Sequence, residues 1–202
     1  MTRRASATGL LALALVVGVA TTSCSKHSRP KAAPATTTTA KPPPTTVPAP
    51  VHFTITETTT DGSDPPSDDV VAKVNEALDR YVATAIVAPL SSGQPVADLS
   101  PAFTAAAVAQ IGADADLRAT VLDEGMPPAS REISASRATA VLEGVNDPGG
   151  TAIVGARIGL TIHAAGPGLD VDIARDGELV FVPDGDAWKI NVVHLQTQRN
   201  SR

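Results

Sequence analysis

The pair Pro127-Pro128 divides the hydrophobic pattern of this chain in two. Ahead of it apolar residues recur every three or four positions, and after it they alternate. Neither proline donates a backbone hydrogen bond, and a helix interior tolerates neither, so the change of period must be a change of element. In "SDDVVAKVNEALDRYVATAIV", cap-competent Ser67 and Asp68 precede a stripe of Val70, Val71, Val74, Leu78, Tyr81, Val82 and Ala85. This predicts the strongest helix of the chain, closed by Pro89. "SPAFTAAAVAQIG" predicts a second helix with Ser100 as cap, Pro101 at its first position and Gly112 as terminator. A third, short one is expected in "ADLRATVLDEG".

Beyond the prolines, "REISASRATAVLEGV" and "TAIVGARIGLTIHAA" are β-branched and alternating, separated by the turn-forming "NDPGG". In the second run Ala152, Val154, Ala156, Ile158, Leu160 and Ile162 share one face, which should meet the helices. "LDVDIARDGELVFVPDGDAWKINVVHL" supplies further strand, expected to break at Asp176-Gly177 and Asp184-Gly185, with Trp188, Ile190 and Val192 on one face. Helices first and an antiparallel meander after them is an α+β arrangement, with a domain over residues 67–196 and a short tail at 197–202.

The N-terminus has a different character. Arg3 and Arg4 precede an apolar run, Gly9 to Ala20, followed by Thr21, Thr22, Ser23 and the only cysteine, Cys24. This is the layout of a signal peptide, residues 1–23, and the run is shorter than the roughly 20 apolar residues of a spanning helix. The segment "TTSC" resembles the lipobox of bacterial lipoprotein leaders, although Thr21 stands where leucine is usual. The resemblance implies that Cys24 is acylated and becomes the first residue of a protein held by lipid, palmitate among its acyl chains, on the extracytoplasmic face of the cell membrane. A leader cleaved elsewhere, leaving a free thiol, is the competing reading.

From Cys24 to Pro66 proline, threonine and alanine dominate, so burial cannot offset the entropy of ordering, and residues 24–66 read as a disordered tether. Within it "VHFTIT", Val51 to Thr56, alternates like a strand. It is equally readable as a slightly apolar piece of stalk. Charge divides at the same place: six Lys/Arg and no acid precede Val51, whereas ten Lys/Arg and twenty-one Asp/Glu follow, a net of −11. The basic stem suits an anionic membrane surface. Without a basic patch or stacking aromatics in the folded part, nucleic acid is not an expected partner.

The run "LVFVPDGDAWKINVV", an apolar strand, a Gly/Asp turn, then Trp188-Lys189-Ile190 opening the last strand, looks like the nuclear-transport-factor-2-like or cystatin-like fold. The likeness is greatest to the lipid-anchored versions in actinobacterial envelopes, and it extends as a pattern over Asp68 to Leu195. It implies N-terminal helices packed on a curved antiparallel sheet, a half-barrel whose cone holds an acid or base in the enzymes of that fold. Tyr81, Trp188 and His194 are the candidates for the pocket or its rim. Asp79 beside Arg80, the strand pair Asp170 and Asp172, and His163 read as solvated faces. No metal-ligand spacing, Gly-rich phosphate loop or "GxSxG" occurs, so neither metal nor cofactor is expected. A noncatalytic domain contacting an envelope protein is the first reading, a carrier of an apolar ligand in the cone the second, and a cyclase or isomerase the third.

Overall fold

Ser67 accepts the Val70 N–H, two acids occupy the first turn and Arg80 the last, so the ends of α1 (Asp68–Val82) agree with the helix dipole. Its stripe buries Val74, Ala77, Leu78, Tyr81 and Val82. The computed structural model of the chain describes residues 49–61 and 64–202; the signal peptide, Cys24 and most of the expected tether lie outside them.

Pro89 does not close the first helix. The chain widens into a π-helical turn, Ala83–Val87, in which the Ala88 N–H reaches back to the Ala83 carbonyl, and resumes as α2 (Ala88–Ser92). Pro89 has no N–H for the carbonyl four residues earlier, and that group, on Ala85, accepts the N–H of Asp123 at 3.0 Å instead. Termination comes at Gly93, whose left-handed conformation (φ 66°) closes the helix.

The second helix also starts later than expected. Ser100 and Pro101 sit in a turn whose N–H groups, from Ala102 and Phe103, converge on the Leu99 carbonyl. α3 (Ala105–Ala113) is capped by Thr104, and α4 (Ala115–Val121) by Asp114. Side-chain oxygens satisfy the first amides in both cases.

Five strands form one sheet in the order β1 (Thr54–Thr60), β2 (Glu132–Asp147), β3 (Gly150–Gly166), β4 (Leu169–Asp184) and β5 (Ala187–Ser201). The sheet is curved and does not close. Strands β2 to β5 form an antiparallel meander, whereas β1 pairs with β2 in parallel. A parallel pair needs a long crossover, and the four helices are that crossover. The inward residues of β3 are the expected set from Val154 to Ile162, all buried, and Trp188 and Ile190 close the core with Phe103 and Phe181.

Three boundaries differ from expectation. "VHFTIT" is not stalk: Val51 and Phe53 are buried, and β1 follows directly, so the fold begins near Val51 rather than at Ser67. The tail at 197–202 is the end of β5, paired with β4 as far as Ser201↔Val171. Asp176-Gly177 is no turn either. Gly177 lies within β4 at φ 145°, and a Cβ there would collide with the carbonyl oxygen of His194, so the glycine marks a close approach of strands.

A chain beginning at Ser67 should therefore be less stable than one beginning at Ser25, in which β1, Val51 and Phe53 are retained. Loss of a buried phenylalanine alone typically costs about 3–5 kcal/mol. Urea midpoints of the two chains check this, and equal midpoints would show that β1 contributes nothing.

Candidate functional site

The strongest concentration of buried polar chemistry lies under the helices, on the inner face of β4 and β5. Four residues build it: Tyr81 from α1, Asp123 from the segment after α4, Arg175 from β4 and Arg199 from β5. Arg175, Asp123 and Tyr81 are fully buried. Arg175 donates from Nη2 to Asp123 Oδ2 at 2.6 Å and from Nη1 to Tyr81 Oη at 2.5 Å and to the Val121 carbonyl. Arg199 takes the other carboxylate oxygen, Nε at 3.0 Å and Nη2 at 2.8 Å from Asp123 Oδ1.

This network does something specific for α4. The last carbonyls of a helix lack intrahelical partners. Here β4, β5 and α1 supply them: Arg199 donates to Ala119 O and Leu122 O, Thr197 to Thr120 O at 2.7 Å, and Arg175 and, from α1, Tyr81 to Val121 O. Two guanidinium groups at a helix C-terminus also match the sign of its dipole. A seven-residue helix too short to be stable alone is thus capped by side chains of β4 and β5 together with Tyr81 of α1.

Tyr81 is also held by packing, with its ring edge-on to Phe103 at 5.9 Å. Burial pushes its phenol above the ordinary tyrosine range, against the opposing pull of Arg175. The two acid–base groups in the interior, Tyr81 and Asp123, are therefore both fully engaged by arginines. Surface grooves of 130 to 670 Å³ are lined by residues other than Tyr81, Asp123 and Arg175, while Arg199 borders one of about 360 Å³ beside α4.

Trp188 is buried at 5% exposure and its carbonyl accepts from Arg80 at 3.4 Å. His194 is not its neighbour. In the pairing of β4 with β5, Phe181 faces Ile190 but Val180 faces Val192, so Asn191 is an extra residue, a β-bulge. Every side chain beyond it changes face: Val193, Leu195, Thr197 and Arg199 turn inward, while Val192 and His194 turn outward, His194 opposite Glu178 and exposed. Asn191 itself accepts a hydrogen bond from Thr104 Oγ1 at 2.9 Å, which ties the bulge to the cap of α3.

Asp79 is not simply solvated. Its carboxylate takes the His52 ring at 2.6 Å and the Phe53 N–H at 3.2 Å, and so fastens the segment before β1 to α1. Asp170 lies exposed on the outer face of the sheet. On that face His163 Nδ1 lies 3.0 Å from Asp172, whose other oxygen accepts from Arg202 at 2.7 Å. The Arg202 hydrogen bond holds the Asp172 carboxyl below the usual range, with His163 adding to it. Ser134, His163 and Asp172 form one cross-strand row, the residue types of an acyl-transfer relay, yet Ser134 gives its hydroxyl to Glu132 at 2.8 Å. Among the described residues no group of three or more His, Cys, Asp or Glu is placed to hold a metal, and no helix is long and apolar enough to cross a membrane.

Sequence reasoning missed Arg175, Asp123 and Arg199. One signal existed: Arg175 has the parity of Val171 and Ile173, which places an arginine on a core face. Comparison with protein-family models, curated proteins and solved structures finds no match to this chain.

Two measurements follow from this geometry. Asp123→Ala should cost about 3–5 kcal/mol, because it strands Arg175 in the core, and pairing it with Arg175→Met should recover much of that loss. Denaturant titration of the three variants checks the sign of the coupling. Tyr81 is the sole tyrosine, so phenolate absorbance reports it alone. With its folded pKa raised, the unfolded chain loses its proton first. Stability is then fully present below about pH 10 and falls as pH rises beyond it, so absorbance should appear together with unfolding. Titration in the native state at the ordinary pKa would contradict the burial.

Proposed function

We propose that this is a lipid-anchored protein of the extracytoplasmic membrane face whose α+β domain is a nuclear-transport-factor-2-like half-barrel acting as a noncatalytic binding module toward another envelope protein. The observation that carries the binding reading is the state of the interior. The place where an enzyme of this architecture would keep a free acid or base holds Tyr81, which itself donates to the end of α4 and accepts from Arg175, and Asp123, which holds the two arginines that cap α4. The anchor reading rests on the leader and on "TTSC".

A specific observation also favours the apolar-ligand reading, in a changed place. A groove of about 400 Å³ runs between α1, the π-helical turn and the segment before β1, with Val51, Val82, Ala83 and Val87 in its walls and His52, Glu76, Asp79 and Arg80 at its rim. Its size falls within the range of small-molecule sites, and its walls are largely apolar. A ligand of this protein would sit there rather than in the cone, which Tyr81, Phe103 and Phe181 occupy.

The decisive experiment is Cys24→Ala in a lipid-modifying bacterium. The wild-type chain should partition with membranes and the variant with the soluble or secreted fraction, its fold intact by circular dichroism. Unchanged partition would sink the anchor. Crosslinking of the wild-type chain in intact cells should recover a defined envelope protein, and native mass spectrometry would reveal a copurifying apolar ligand if the second reading holds.

A further inference from the structure

We infer that the free edge of β2 between Glu132 and Ala138 is a docking slot for one extended peptide strand of the partner. The inference rests on the binding-module reading and specifies how the partner is recognised. β2 begins at Glu132, but β1 pairs with it only from Thr139 to Gly144. The first seven residues of β2 therefore have a strand on one side only. The missing half-strand would be the backward continuation of β1, and the described residues 49–53 do not supply it. Asp79 binds the Phe53 N–H and the His52 ring, and Val51 and Phe53 turn into the core, so residues 49–53 are drawn off the sheet toward α1. Among the described residues no backbone hydrogen bond joins this segment to the β2 edge.

What lies between is a groove of about 390 Å³. One wall is Pro50, Val51, His52 and Thr54, and the other is the β2 edge from Ile133 to Ala138. Ala135 shows that the corner is uncovered: it is in register with the buried Ile162, yet it is exposed. A sheet edge offers backbone donors and acceptors at the spacing of a ladder, and an extended peptide carries the matching set, which fixes the class of occupant. The second wall limits occupancy to a single strand, unlike an open edge that would recruit further copies. The extra residue Ser136, a bulge in β2, leaves a short ladder, suited to reversible recognition.

Side-chain preference follows from the two faces. An incoming residue pointing toward the helices meets Val51, Ile133 and Ala135, and one pointing outward meets Ser134 and Arg137, so the partner segment should alternate small apolar with polar residues. Its backbone should supply most of the affinity.

The test uses the full chain and a capped peptide alternating threonine and valine, beside the same peptide N-methylated at every second residue on its donating edge. The unmodified peptide should bind saturably by fluorescence anisotropy and slow amide exchange at Glu132–Ala138. N-methylation should weaken it by about tenfold or more, the loss of one or two net hydrogen bonds. Ala135→Lys, at an exposed position that leaves the core intact, should weaken the unmodified peptide similarly. Equal binding of both peptides would overturn the proposal, as would no saturable binding at millimolar peptide, or protection appearing elsewhere. Crosslinking of the wild-type chain to an envelope protein in intact cells does not depend on the peptide assay, so a recovered partner without peptide binding would overturn the slot and leave the binding-module reading standing.

Discussion

The carboxylate of Asp123 holds two layers of the fold together. Its oxygens meet Arg175 and Arg199, on neighbouring strands, while its own N–H is held by Ala85 in the π-helical turn. One residue therefore fixes the distance from the first helical segment to the sheet, and α4 is clamped between them. Buried ion pairs are weak contributors to net stability because desolvation offsets their attraction. Their value here lies in position. The last carbonyls of α4 need donors, and side chains placed by β4 and β5, with Tyr81 from α1, provide them.

Two departures from regular geometry serve this arrangement. Pro89 deprives Ala85 of its helical partner, and the freed carbonyl becomes the anchor of Asp123. The bulge at Asn191 turns Thr197 and Arg199 inward, where they cap α4, and without it they would face solvent. A regular helix and a regular strand would build a smoother fold lacking its central clamp. Bulges are commonly devices that re-aim side chains, and here the re-aimed residues are structural.

This also explains what was legible in the sequence. Element types, the Ser67 cap and the inner face of β3 follow from local periodicity and side-chain chemistry, which act over a few residues. The inward face of β5 was readable only as far as Ile190, because parity is carried along a strand until an inserted residue reverses it, and Asn191 has no local mark of a bulge. Arg175 was obscured by the following Asp-Gly, which locally suggests a turn and structurally answers a close approach to His194. Asp79 appeared solvated beside Arg80 because its partner, His52, lies twenty-seven residues earlier, in a stretch of tether-like composition.

That last relation bears on where the fold begins. β1 is joined to its parallel neighbour β2 through the helical crossover, so it is an integral strand although its composition resembles the Pro/Thr-rich sequence before it. Its threonines reconcile the two roles: Thr56, Thr59 and Thr60 donate their hydroxyls to β2 carbonyls at 3.2 to 3.3 Å, which gives a polar, β-branched segment a place in a sheet without a large apolar payload. Val51 and Phe53 supply the burial that composition alone does not advertise. The start of the fold is therefore set by two buried side chains and one carboxylate on α1. Because that carboxylate draws residues 49–53 toward the helix, the burial of Val51 and Phe53 and the unpaired stretch of β2 have a common physical origin.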